Sequence, residues 1–291
     1  MMLTDPAFIK TIFVKRGVRM NNLNGKIALV TGGSRGAGRA IAVELAKAGA
    51  TVYVTGRSVK GRSTLDYPGT IDDTAAQIRS FAVRCDHTHD EETESVIRRI
   101  RQEQGQLDIL VNNVWGGNEL PIEQKPLWEL PMLHWDHMFQ AGVRAQLATN
   151  RFAIPLMREK QSGLIVHTTF WDDDKYLGNF YYDLAKNALN QMAYGLATEL
   201  RQDNIAVIAV SPGWMRTELV LAAFNTDEEN WHTVPELKQT ETPHYLGRAI
   251  VALSCDPLVS EKSGHILRVG QLAEEYGFTD IDGRKIPAFR M

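Results

Sequence analysis

The chain has 291 residues, 44% hydrophobic and 23% charged, with a net charge of −3. That is ordinary globular composition with ample length for a buried core, and the balance gives no electrostatic footing for nucleic acid or an anionic membrane. Cys85 and Cys255 form no CxxC and no disulfide framework, which points to a reducing, cytoplasmic setting.

No apolar run approaches the ~20 residues that cross a bilayer. The opening stretch is interrupted by Lys10, Lys15 and Arg16 and lacks a small-residue cleavage site, so residues 1–24 read as a poorly ordered extension rather than a signal peptide. From Gly25 onward short apolar runs alternate with helical ones. Strands are expected at 26–30, 51–55, 81–85, 107–113, 163–169, 205–213 and 263–270. Helices are expected after the first strand, over 90–105, over 132–157 and over 179–201. The helix at 90–105 has acids in its first turn and bases later, matching its dipole. Near-continuous apolar strands alternating with helices predict an α/β fold: a doubly wound, parallel, seven-stranded sheet, Rossmann-like, in three αβα layers. Residues 25–291 form one domain on this reading, with a turn-rich insertion at 58–70 and a long segment at 214–241 placed where a substrate lid would be.

"TGGSRGAGRA" follows the first strand and opens a helix. Gly32, Gly36 and Gly38 let the backbone turn sharply and approach a pyrophosphate at the helix N-terminus. Ser34, Arg35 and Ala37 complete that turn, and the whole unit predicts nucleotide binding. The second strand ends Thr55-Gly56-Arg57 without the acid that would hold a ribose 2′-hydroxyl. Arg57 together with Arg35 suits a 2′-phosphate instead. The expected cofactor is NADP(H), with NAD(H) less favoured.

Tyr182 and Lys186, in "YDLAK", stand at i and i+4 and share one helix face. A free phenol titrates near 10, so a nearby ammonium and an oxidised nicotinamide would have to supply about 4 kcal/mol to make it a base at pH 7. Tyr181 faces another way.

Together, "TGGSRGAG", Asn112-Asn113 in "NNVWG", "YDLAK" and "SPGWMRT" resemble the short-chain dehydrogenase/reductase family over residues 25–270. "VNNVWGG", "FQAGVRAQ" and "YGFTDIDG" are similar to one branch of it. The resemblance implies oxidoreduction between an alcohol and a carbonyl, with Tyr182 as general acid/base and Lys186 as its activator and a ribose ligand. It places Asp86 against the adenine, Asn112 under the adenine ribose and Thr217 near the nicotinamide amide, with Pro212 and Gly213 as further cofactor-binding residues. It also implies a homodimer or homotetramer acting on a small carbonyl or alcohol. Thirteen residues before Tyr182, where the family has serine, stands Thr169, which keeps a hydroxyl but adds a stiffening methyl. Thr168 would point to the opposite face. The family asparagine that supports a proton relay falls at Gly142, and bulky Trp115 replaces a family glycine. These departures leave open a second reading, a nucleotide-binding protein without turnover.

Three features are set aside. Cys85, His87 and His89 alternate at a strand end rather than forming a metal site. The acids of "WDDDK" (171–175) read as a solvated face that rims the entrance and disfavours anionic substrates. His167 reads as a satisfied buried imidazole. Trp128, Trp135, Trp214 and Trp231 suggest an apolar cleft.

Overall fold

The computed structural model describes residues 22–290 apart from 65, 66 and 174, so most of the expected N-terminal extension lies outside the described residues. Seven parallel strands form one sheet: β1 (Ile27–Thr31), β2 (Thr51–Gly56), β3 (Phe81–Arg84), β4 (Ile109–Asn112), β5 (Gly163–Thr168), β6 (Ile205–Ser211) and β7 (Ile266–Arg268). Their order across the sheet is β3-β2-β1-β4-β5-β6-β7, so the winding reverses between β1 and β4. That switch point, at the carboxyl ends of the strands, is where such sheets open a crevice.

Each strand divides its side chains between two cores. Ala28, Val30, Val52, Val54, Val166 and Ile208 face one layer. Ile27, Leu29, Tyr53, Ile165 and Val207 face the other. With both faces apolar, the strands must be covered on both sides. The first layer holds α1 (Gly36–Lys47), α7 (Pro243–Cys255) and α8 (Val269–Tyr276); the second holds α3 (Asp90–Gln104), α4 (Ala145–Arg158) and α5 (Phe180–Glu199). The eight-residue α2 (Ile71–Ile78) adds Ile71 to the first core, and the short α6 (Glu218–Ala223) borders the cleft. The fold therefore matches the expected seven-stranded Rossmann-like sheet. Leu23 is 1% exposed in the first core and its amide donates to the Ala48 carbonyl, so packing begins two residues before Gly25.

The expected helix over 132–157 is not uniform. A helical turn at Leu133–Trp135 passes into a π-helix over Asp136–Arg144 before α4 begins. A nine-residue π segment is long for a form that usually appears as single turns near functional sites. The segment at 214–241 is pinned rather than loose. Arg216, 2% exposed, pairs with Glu228 and Asp282 at 3.0 Å and lies 4.0 Å over the Trp231 ring.

Candidate active site

A cavity of about 570 Å³ opens at the switch point, lined by the glycine turn, the ends of β2, β4, β5 and β6, and the start of α5. Its size suits a small-molecule or cofactor site.

At one end the glycine turn is built to close tightly. Gly32 and Gly36 have φ of +69° and +52°, and a Cβ on Gly38 would fall 2.2 Å from the Gly32 carbonyl oxygen. Side chains from neighbouring elements hold the turn. Asn113 Nδ2 donates to the carbonyls of Thr31 and Gly32, both at 3.1 Å, and Thr74 Oγ1 donates to Gly33 O at 2.9 Å. The Gly36 amide, at the N-terminus of α1, donates at 3.0 Å to Glu218 Oε2. Arg57 donates at 2.5 Å to Glu119, whose other oxygen meets His137 at 2.9 Å. Thus two carboxylates of the chain itself stand where an amide dipole and a guanidinium would take phosphate oxygens. The donor set fits an anionic dinucleotide. Asp86 lines the same end, its Oδ1 accepting from the Thr88 amide and hydroxyl at 3.0 and 2.7 Å. Burial is the strongest single influence and would raise its carboxyl, but the Thr88 bonds together with nearby Arg57 and His89 hold it below the usual range.

Two expectations about this end are corrected. Arg35 lines the cavity, but its guanidinium braces the insertion, donating to Thr64 O, Ser58 Oγ, Ser63 Oγ and Gly69 O between 2.9 and 3.1 Å. Both guanidiniums at this end are thus partnered within the chain, Arg35 by neutral oxygens and Arg57 by Glu119. Asn112 is fully buried and does not line the cavity; Asn113 does. Asn112 Nδ2 donates at 2.7 Å to Asn150, which contacts His167 Nε2 at 3.2 Å, while His167 Nδ1 meets Gln146 Oε1 at 2.7 Å. Burial drives the His167 pKa down to about 3, so the imidazole is neutral and its two nitrogens are both partnered.

The other end is aromatic. Tyr182 and Lys186 line it from the first turns of α5, whose N-cap Asn179 accepts from the Tyr182 amide at 3.1 Å. Tyr181 instead packs on His134, 5.8 Å between ring centroids, and donates to Met132 Sδ. Lys186 Nζ lies 3.9 Å from the Trp115 ring centroid and 5.5 Å from that of Tyr182. Trp115 meets Tyr182 edge-on at 5.7 Å. Its indole also explains Gly142, because a Cβ there would come within 2.8 Å of the Trp115 six-membered ring. The two departures from the family pattern are one substitution in space: the indole fills room that a side chain at 142 would need.

Electrostatics here differ from the expectation that the ammonium lowers the phenol. In the chain by itself burial dominates, raising Tyr182 well above the usual phenol range with help from Asp183. Burial likewise pulls Lys186 down to about 7. Both shifts favour the neutral forms.

Thr169 lies on the face covered by α5, as strand alternation requires, but its hydroxyl donates at 3.2 Å to the Lys186 carbonyl. Thr168 Oγ1 lies 3.4 Å from Asn112 O and 3.5 Å from Asn113 Oδ1. Pro212, Gly213 and Thr217 all line the cavity, and Thr217 also caps α6 through the Val220 amide. Of the four tryptophans expected to form an apolar cleft, only Trp214 lines it. Trp128 is 84% exposed, Trp135 stacks on Phe139 at 4.0 Å, and Trp231 packs on Arg216 and Arg284. The walls come instead from Trp115, Phe170 and Phe289.

The segment around the expected metal-like alternation is accounted for locally. His87 is buried between Thr55, Thr93 and Thr149, while His89 pairs with Glu92 at the surface. Burial pushes the Cys85 thiol up to about 12.

These features define a Rossmann-type α/β protein with a cleft of cofactor size, and the comparisons give its class. The model of the short chain dehydrogenase family matches residues 26–228, and the chain belongs to that family. The branch indicated by its motifs is that of mouse dehydrogenase/reductase SDR family member 1, 34% identical over 277 residues and covering 91% of this chain and 86% of that one. Among solved structures, a 7α-hydroxysteroid dehydrogenase complexed with NADH and 7-oxo glycochenodeoxycholic acid superposes with a TM-score of 0.71 at 26% identity. That match covers 86% of this chain and 94% of the other. L-sorbose reductase from Gluconobacter frateurii, complexed with NADPH and L-sorbose, shares the fold, with a TM-score of 0.72 at 23% identity and coverage of 93% and 100%. The family couples a nicotinamide cofactor to alcohol–carbonyl interconversion. Among the described residues, no helix is long and apolar enough to cross a membrane.

Proposed function

We propose that this protein is an NADP(H)-dependent carbonyl reductase in which Tyr182 is the proton donor. The observation that carries the reading is that Tyr182 and Lys186 enter, from one face of α5, the same cavity that the glycine turn opens. Arg57 at the end of β2, where an acid would serve NAD(H), supports the phosphorylated cofactor. Arg57, the Gly36 amide and Asp86 would hold the nucleotide, with Pro212, Gly213 and Thr217 beside the nicotinamide.

A bound nicotinamide would supply a hydride to the carbonyl carbon, or accept one in the reverse direction. A phenol raised by burial stays protonated at neutral pH, which suits Tyr182 to giving its proton to the carbonyl oxygen as the C=O pair of electrons moves there. The phenolate left behind is balanced by the Lys186 ammonium and reprotonated from solvent. Lys186 is held against Trp115 by a cation–π contact, worth about 0.5–2 kcal/mol, rather than through an asparagine at position 142. Thr169 is the hydroxyl to support the substrate oxygen once it turns from the Lys186 carbonyl. That existing bond is what favours the second reading, a cofactor-binding protein without turnover.

Tyr182→Phe distinguishes the two. It should cut NADPH-dependent carbonyl reduction on the order of 10²- to 10⁴-fold while NADPH affinity is unchanged. Turnover retained in that variant would remove Tyr182 from the chemistry. NADPH binding without oxidation across a panel of ketones and quinones would favour the second reading. Self-association as a dimer or tetramer is a companion proposal, supported by exposed Leu147, Leu184 and Tyr194, and sedimentation would measure it.

A further inference from the structure

We propose that the C-terminal strap Ile286–Arg290 is the substrate-side wall of the cleft, and that Phe289 sets the size of the apolar carbonyl compound it admits. This rests on the oxidoreductase reading for what the cleft is used for, but not for how the wall is built.

The strap is fixed at three places. Ile286 is 8% exposed in the first core, and its carbonyl accepts from Tyr245 Oη at 3.1 Å. Pro287 and Ala288 pass directly over Gly270, where a Cβ would come within 2.2 Å of the Ala288 nitrogen. Beyond Phe289, Arg290 pairs with Asp173 and lies 3.4 Å from Asp172. Those two acids follow β5 and are themselves tied to Arg268, which is 3% exposed at the end of β7.

Between the second and third anchors Phe289 turns into the cavity. Its ring meets Phe170 at 5.5 Å in an edge-on arrangement, and Phe170 in turn lies 6.4 Å from Tyr182. A Cβ on Gly213 would lie 3.4 Å from the Phe289 Cβ, so the strap abuts the turn that borders the nicotinamide end. The expectation of a solvated acidic rim is thereby corrected. Asp172 is buried and paired with Lys175, Arg268 and Arg290, and Asp173 with Arg268 and Arg290, so neither acid presents an uncompensated charge. An apolar aromatic wall beside a charge-balanced rim selects uncharged carbonyl compounds with an apolar body, and the reach of the Phe289 ring limits their length.

The test titrates two ketones, acetophenone and 4-acetylbiphenyl, into the full-length protein saturated with NADP+, a combination that cannot react, reading dissociation constants from tryptophan fluorescence, and follows turnover separately by NADPH oxidation. Phe289→Ala should improve binding of the biphenyl ketone relative to acetophenone by about tenfold. Phe289→Leu should move the ratio the same way by less. Arg290→Gln, which loosens the strap without touching the wall, should give an intermediate gain and weaken acetophenone. An unchanged ratio in both folded Phe289 variants overturns the inference, as does failure of the wild type to bind either ketone. Wild-type ketone binding without turnover would instead count against the oxidoreductase reading and leave the wall standing.

Discussion

The two ends of the cleft are built from opposite materials. At the glycine turn every important group is a backbone amide, a charge or a short polar side chain. The anion-binding positions are already paired with Glu218 and Glu119. At the Tyr182 end the same cavity is walled by Trp115, Phe170 and Phe289, and its titratable groups are driven toward neutrality. On the proposed function, the polar end would exchange one anion for another, while the aromatic end would exclude water and keep a proton in place. The contrast teaches that acidity and charge at this site are set by what surrounds each residue more than by which residues face each other.

The largest test of that contrast is Lys186→Met. Reduction should fall on the order of 10²-fold or more. In the wild type the reductive rate should decline as pH rises through about 7, where the ammonium is lost, and the variant should lack this limb. Stability should move the other way. An unfolded lysine keeps its proton to about pH 10.4, whereas the folded one releases it near 7. Between those values the unfolded state binds more protons, so wild-type stability rises with pH across the window. Its deficit is complete below pH 7, where Lys186→Met should be more stable by about 1–2 kcal/mol after loss of the cation–π contact. Denaturant midpoints at pH 6 and pH 9 measure both effects.

Arg57→Ala probes the polar end and should reduce preference for NADPH over NADH by about tenfold, roughly 1.4 kcal/mol. An unchanged ratio would move the 2′-phosphate elsewhere. Gly142→Ala should cost about 1–3 kcal/mol, because the new Cβ displaces the indole. Adding Trp115→Ala should recover part of that, and a cycle without coupling would separate the two positions. The smallest effect is expected for Glu119→Gln and Glu218→Gln. Each should tighten cofactor binding a few-fold, on the order of 0.5–1 kcal/mol, by weakening a competitor for the anion positions.

All seven strands were legible because a parallel sheet buried on both faces writes uninterrupted apolar runs into the sequence. The helix Pro243–Cys255 was not anticipated, although it puts more residues into the first core than any other single element. It follows directly on the long segment at 214–241, and its Pro243 start was not taken as a first helical position. The polar end was readable from local spacing, since glycines and strand-end residues act within a few positions of one another. The bonding of Arg35 was not readable because its partners lie 23 to 34 residues away, in the insertion. Phe289 gave no signal at all. It reaches the site only because the chain returns over Gly270, a contact nothing near residue 289 announces. Trp115 and Gly142 were each visible as oddities, but only their packing shows that one explains the other.

The glycine turn has a kinetic corollary. Its shape is fixed by Asn113, Thr74 and its own close-packed backbone, so the nucleotide meets a mould set during folding rather than a loop that must freeze around it. Little chain entropy is left to lose on capture. Association should therefore run at the pace of diffusion and of Glu218 stepping aside, with only a small loss of backbone motion in the turn when the complex forms.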